Sequence, residues 1–483
     1  MAILPPALMS VIAKPRQSLH LRLAVLRADR FYLYGVCLAV CGLCGGVALR
    51  LIDGDSRLAW LAGLVGVISV YAAFRRMQHL NMATRQRVAN VRSSPYLIMG
   101  GGRVEFADIG ISESEEAGGF AVGTFPPYVS EFFARSPRFD NRLLLNPEIE
   151  FSETASEREA FFASEDEADD KRLAQLKYLV TRGTTKSPLL NDDKFGLRMS
   201  STQEPLTGSV YKTGYYDALV TNEAFRDEVY SEDRLLRDGG DTRVELRLHD
   251  YFPITKYRGR YYLDPLPTPE IANHVGVTTL ALTSDRRLLF FRQSYNQAIG
   301  NLKIVASGSG SVNYADLRES HCGTNLVTAL RFAMAREMAE EAVERTAGGV
   351  KTIIWSRRSF QERVREAMEG TIVTGFFRWV NRCGKPEFVG VTRLSAPFSQ
   401  FGPDGGEVTA LGAPCPVIRR MEDFAAAKQQ IIQFAAKRVP EGINLSTYVC
   451  LERLCEIASY STSNDPHERQ VYDHVKSWLR LGD

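Results

Sequence analysis

The sequence has almost no net charge, no ordered set of cysteines outside its first ninety residues, and two stretches with no charged residue at all. Its 59 Lys and Arg against 57 Asp and Glu leave a formal net charge of +2 over 483 residues. That removes the global basic signal on which duplex nucleic-acid binding depends, so no duplex partner is expected. Cys322, Cys383, Cys415, Cys450 and Cys455 are scattered, with no CxxC pair and no Cys/His zinc spacing among them. A disulfide scaffold and a structural zinc site are therefore excluded, and a reducing compartment is expected.

The missing charge is informative near the start. Phe31 to Leu49 carries none, and Leu58 to Phe74 is a second uncharged run. Each approaches the roughly 20 apolar residues of a spanning helix. Only Arg50 to Arg57 separates them, enough for a tight turn. Both runs are apolar all round rather than along one stripe, which argues against a buried hairpin of a globular domain. Lys14, Arg16, Arg22, Arg27 and Arg30 precede the first run; Arg75, Arg76, Arg85, Arg87 and Arg92 follow the second. Basic flanks stay inside. The expectation is a bacterial inner-membrane, multi-pass protein with both termini cytoplasmic.

The rest is globular in composition, with 45% hydrophobic and 24% charged residues overall. The layout reads as a basic cytoplasmic leader (1–30), two transmembrane helices (31–74), a cytoplasmic intermediate region (75–260), an α/β domain (261–425) and C-terminal helices (426–483). The fold class expected is thus a two-helix transmembrane hairpin followed by an α/β (α+β) cytoplasmic region. The acidic run from Glu153 to Asp170 reads as a solvated helix or mobile loop, with an acidic metal site as the lesser alternative.

The α/β pattern is clearest from His274. Val275 to Leu282 and Leu288 to Arg292 read as a hairpin around Thr283 to Arg287. Leu302 to Val305 is a third short strand. It leads into Ser307-Gly308-Ser309-Gly310-Ser311, read as a small-residue loop. Asn325 to Arg345 reads as a long helix ended by Gly348-Gly349. Strands resume over 371–380 and 387–394.

Within that helix, Glu337, Glu340 and Glu341 are spaced i, i+3, i+4 and share a face beside the apolar stripe Val327, Leu330, Met334, Met338. Like charges so close repel, and Mg²⁺, held by a few carboxylates and substrate oxygens, would offset that. A solvated acidic face is the alternative.

The segment resembles the Nudix fold, whose box runs G-x5-E-x7-R-E-U-x-E-E-x-G-U. Arg336, Glu337, Met338, Glu340 and Glu341 match its core. Thr328 stands where the box has its first glutamate, Cys322 where it has its opening glycine, and Val343 where it has the later glycine. The insertion Val312 to Asn325 also interrupts it. The whole layout is similar to transmembrane Nudix effectors of bacterial cyclic-oligonucleotide anti-phage systems (CBASS). That resemblance implies a Nudix-like domain over 261–425 and binding of a cyclic nucleotide made by a partner nucleotidyltransferase. It also implies homo-oligomerisation and injury to the inner-membrane lipid, ending in abortive infection.

On this reading the ligand meets Arg292, Ser307, Gly308, Ser309, Gly310, Asp316 and Arg336, with main-chain N–H groups of 307–311 on phosphate oxygens. Glu337, Glu340 and Glu341 are the metal candidates, Mg²⁺ the cofactor, and turnover is slow or absent because the box is degenerate. The alternatives are a membrane-tethered, Mg²⁺-dependent hydrolase of a nucleoside diphosphate derivative, with Glu319 making up the lost charge, and a scaffold without ligand.

Overall fold

A computed structural model describes most of residues 88–111, 132–154, 193–232, 243–294, 302–344, 357–439 and 441–482, together with 121–122, 174, 175 and 178. The chain divides into two compact units. One comprises 1–94, 165–190 and 227–248. Its described part is an antiparallel sheet of three strands in the order Val88–Ser93, Asp227–Glu232, Arg243–Arg247. The Tyr178 hydroxyl donates to Asp227 there at 2.7 Å.

The other unit comprises 95–164, 191–226 and 249–483. Its described elements include β1 (Phe133–Arg135), α1 (Pro137–Leu145), β2 (Gly276–Leu282), β3 (Leu288–Gln293), β4 (Ile304–Ala306) and β5 (Gly308–Ser311). Then come α2 (Asp316–Glu319), α3 (Leu326–Glu341), β6 (Thr371–Trp379), β7 (Lys385–Arg393), α4 (Asp423–Arg438), α5 (Leu445–Ser459) and α6 (Pro466–Leu479). The central sheet runs β4-β3-β2-β7-β6-β1 and ends on Ala121–Val122. The β2–β7 pair is parallel, whereas β2–β3, β7–β6 and β6–β1 are antiparallel. Along one edge β2 has two partners: β3 at Ala281 and Leu282, and β5 from Gly276 to Thr279. That split edge is what brings β5 under α3.

Alternation along the strands feeds two cores. Val277, Ala281, Val305, Val373 and Phe388 face α3 with Leu330, Ala333, Met334 and Met338. Leu280, Leu282, Phe377, Val389 and Val391 face the other way, against Phe424, Ile431, Val449, Leu454 and Val475 of α4, α5 and α6. Each such aliphatic or aromatic side chain removed from water contributes about 1.5–3 kcal/mol before the entropy of ordering is subtracted. The C-terminal helices are thus one face of this α/β layer structure, and residues before 260 enter it too: β1 joins the sheet and α1 packs against it.

Two expectations are corrected. Among the described residues no helix is long and apolar enough to cross a membrane. The 16-residue helices α3 and α4 span only about 24 Å against a hydrocarbon core of about 30 Å, and both carry several charges. The stretch 31–74, where two spans are expected, lies outside the described residues, as does 155–170 of the acidic run. The fold class the described residues support is mixed α/β. The transmembrane hairpin and the multi-pass inner-membrane location, both termini cytoplasmic, drop out of it.

The helix carrying the carboxylates ends at Glu341, short of Arg345. Its N-terminus is capped by Asn325, whose side chain accepts from the Val327 N–H at 3.0 Å. At the other end Ala342–Glu344 pairs antiparallel with Phe401–Pro403, so a ladder takes the chain before another helical turn forms.

Candidate functional site

The stretch Ser307 to Ser311 is not an open loop. From Gly308 it is strand β5, paired residue for residue with β2. Ser307 is buried, its hydroxyl accepting from the Ala281 N–H at 2.7 Å. Gly308 and Gly310 serve the contact with α3: a Cβ on Gly308 would stand 2.7 Å from the Met338 nitrogen, and one on Gly310 2.2 Å from the Glu337 carboxyl carbon. The Ser309 N–H donates to Glu341 Oε2 at 3.2 Å. Gly308 and Gly310 thus seat α3 against the sheet, and the Ser309 N–H meets a carboxylate of that helix.

Arg336 is the centre of the site. Its side chain is 9% exposed, and its planar fork offers five N–H donors. Nε donates to Asp316 Oδ1 at 2.9 Å, and Nη2 to Asp316 Oδ2 at 3.0 Å and to the Ser311 carbonyl at 3.1 Å. Nη1 donates to Glu340 Oε2 at 3.0 Å and lies 3.0 Å from Glu337 Oε1. Five donors thus face five acceptors. Burial opposes the charge on Arg336, but the carboxylates of Glu337, Asp316 and Glu340 outweigh it and hold the guanidinium above its ordinary proton affinity. Glu337 and Glu341 are buried, whereas the Glu340 side chain is 44% exposed at the rim.

Other expected residues lie apart from this cluster. Arg292 Nε donates to the Leu302 carbonyl and Nη2 pairs with Glu441 at 3.3 Å. Glu319 is exposed and lines an open cleft of about 690 Å³ with Asp193, Lys212, Asn313, Tyr314 and Arg318. It does not join the carboxylate cluster; Asp316 does.

A second polar cluster, unread in the sequence, lies on the opposite face of the sheet. Glu387 accepts from Thr278 and Ser446 at 3.1 Å and from the Trp379 indole at 3.2 Å, and sits 3.5 Å from Lys385. Glu223, from the buried π-helical turn Leu219–Glu223, pairs with Arg382 at 3.2 Å. His274 meets the Ser311 hydroxyl at 3.3 Å. Burial, then Lys385, Lys194 and Arg382, hold its imidazole well below the ordinary range, so it is neutral. The pairs Thr278–Glu387 and Glu223–Arg382, more than a hundred residues apart, leave no local spacing signal, though a turn such as Leu219–Glu223 often marks a functional site.

No known protein family matches the chain, and no curated relative does either.

The fit to Mg²⁺ turns on the donor set. Among the described residues no group of three or more His, Cys, Asp or Glu side chains is placed to hold a metal ion. Glu337, Glu340 and Glu341 instead form a one-sided edge of hard oxygen donors. That suits Mg²⁺, which keeps several waters and binds through one or two carboxylates plus ligand phosphate oxygens. Bound there, the cation would neutralise phosphate charge and polarise a phosphoryl oxygen.

Proposed function

We propose that the unit containing residues 249–483 is a Nudix-like sensor that binds a cyclic oligonucleotide through Mg²⁺ on the carboxylate edge of α3, with little or no turnover. On this reading the chain is an effector of a bacterial cyclic-oligonucleotide anti-phage system, linked to a nucleotidyltransferase and active as a homo-oligomer. The reading includes no bilayer step.

One observation carries it. Arg336 spends its five donors inside the protein, so it offers nothing to a phosphate, and the groups around it are the carboxylates of Asp316, Glu337, Glu340 and Glu341. A phosphodiester approaching that edge is repelled unless a cation lies between. Binding should therefore need a divalent ion. The experiment is calorimetric titration of the full chain with cyclic di- and trinucleotides, in Mg²⁺ and in EDTA. Saturable binding in Mg²⁺ that EDTA abolishes supports the reading; equal affinity in both contradicts it.

The second reading is a Mg²⁺-dependent hydrolase of a nucleoside diphosphate derivative. Asp316 favours it, because it returns to the cluster a carboxylate that Thr328 does not supply. Efficient Mg²⁺-dependent phosphate release that Glu341→Gln removes would decide for this reading.

A further inference from the structure

His274 stands just before β2, where three stretches of chain meet. Gly196 of the strand Asp193–Met199 bridges to His274, and Lys194 of that strand bridges to Asn313. Bridged residues, and those two apart on one strand, share a face, so Lys194, His274 and Asn313 point the same way. Lys194 Nζ donates to Asn313 Oδ1 at 2.5 Å. His274 is 2% exposed, and its ring has one hydrogen-bond partner, the Ser311 hydroxyl at 3.3 Å from Nε2. Nδ1 is buried with no such partner among the described residues. Asn273, fully buried and held at φ +39°, carries a second orphaned atom, Nδ2. That atom is a donor, because the amide orientation is fixed by Asn222. Asn222 Nδ2 donates to Asn273 Oδ1 at 3.0 Å and to the Arg382 carbonyl at 3.1 Å, while Asn222 Oδ1 accepts from the Asn273 N–H at 2.8 Å.

A buried polar atom without a partner is costly, and native proteins fill such places with water or a ligand. The charge nearby decides which. Among the described residues, the charged groups that act on His274 are Lys385, Lys194 and Arg382, all cations. A positive field favours an anion over water. We propose that His274 Nδ1–H donates to an oxyanion, a phosphoryl or carboxylate group, which Lys194, Lys385 and Arg382 draw in at this end of the sheet. With Nδ1 as donor, Nε2 accepts from the Ser311 hydroxyl, so one neutral tautomer serves both contacts. Lys194 and Ser311 are half-buried, and Asn313 lines the open cleft of about 690 Å³, which gives the anion a way in from solvent. The site uses none of the α3 carboxylates and needs no divalent cation, so it stands or falls apart from the function proposed above.

The test is equilibrium dialysis of the full chain against radiolabelled inorganic phosphate and, in a second arm, radiolabelled acetate. Both arms contain EDTA and constant potassium chloride, and thermal melting is recorded in parallel. Saturable binding of at least one anion is expected, and the tighter of the two names the group. His274→Gln still reaches Ser311 but loses the donor at Nδ1; affinity should fall about tenfold or more, as when a hydrogen bond to a charged group is lost. Lys194→Met removes one attracting charge and should weaken binding about threefold or more. Lys437→Met, exposed on α4, should match wild type. A folded His274→Gln protein with wild-type affinity overturns the inference even if it melts lower, because a purely structural role shifts only melting. An equal fall in Lys437→Met overturns it too, since that marks general charge attraction. If His274→Gln does not fold, Lys194→Met decides alone. A wild-type chain that saturably binds neither anion holds water at Nδ1, and the inference fails.

Discussion

Replacing Gly308 with alanine separates the two meanings of the small-residue stretch. If its main chain held phosphate, one methyl group would alter ligand affinity and leave folding alone. The structure says otherwise. The new Cβ would lie 2.7 Å from the Met338 nitrogen, 2.8 Å from its Cα and 2.9 Å from its Cβ. Helix backbone cannot swing aside as a side-chain tip can, so β5 must move away from α3 and strain its pairing with β2. Overpacking of this kind costs about 1–3 kcal/mol. Against it stands a gain of about 0.4–1 kcal/mol from the stiffer unfolded chain, which applies because Gly308 is not among the glycines with positive φ. The clash wins, and a net loss of roughly 1–2 kcal/mol is expected. Urea denaturation followed by tryptophan fluorescence measures it. A Gly308→Ala protein as stable as wild type would refute the seating of α3 on β5. Gly310→Ala is the internal contrast, because its Cβ meets the tip of Glu337, which can rotate away. It should cost less stability and more Mg²⁺ affinity.

Arg336→Lys replaces five donors in a plane by three on a point charge, and should lose on the order of 1–3 kcal/mol in the same denaturation assay, with Mg²⁺ affinity reduced. Asn325→Ala removes the cap of α3 and should cost about 1 kcal/mol, read as a lower urea midpoint at unchanged slope. Asp140 is fully buried between Arg135 at 3.4 Å and Arg453 at 4.0 Å; burial outweighs both arginines and the Phe376 N–H and raises its pKa from 3.8 to about 6. A raised folded-state pKa means the folded protein holds the proton more tightly, so this group's stability contribution is full below pH 3.8 and is lost as pH rises through 6. That gap corresponds to about 3 kcal/mol at most. Asp140→Asn should flatten the slope of stability between pH 4 and 7; an unchanged slope contradicts the assignment.

The sequence was most legible where periodicity and packing agree. The expected strands at 275–282, 288–292 and 371–380 appear within a residue or two, because each alternates between two buried faces. The three glutamates also fall on one side of one helix as their spacing requires. The sequence reads Arg336 as a ligand contact, but its partners are the Ser311 carbonyl and protein carboxylates, one of them twenty residues earlier on α2. No local pattern announces such a pairing, which exists only once β5 and α2 have folded under α3. Ser-Gly-Ser-Gly-Ser looks like a loop by composition, because glycine is poor in strands; here it is needed so that a strand can pass against a helix. Glu223 and His274 escape for the same reason, as their partners Arg382 and Ser311 come from separate parts of the chain.

The most direct measurement is calorimetric titration of the full chain with a panel of cyclic di- and trinucleotides, repeated with Mg²⁺ replaced by EDTA and with Glu341→Gln. The account expects saturable binding of at least one cyclic oligonucleotide in Mg²⁺, its loss in EDTA, and affinity at least tenfold weaker in Glu341→Gln, the order seen when a metal-site partner is removed. No binding by any member of the panel, or binding indifferent to both the cation and Glu341, would contradict it.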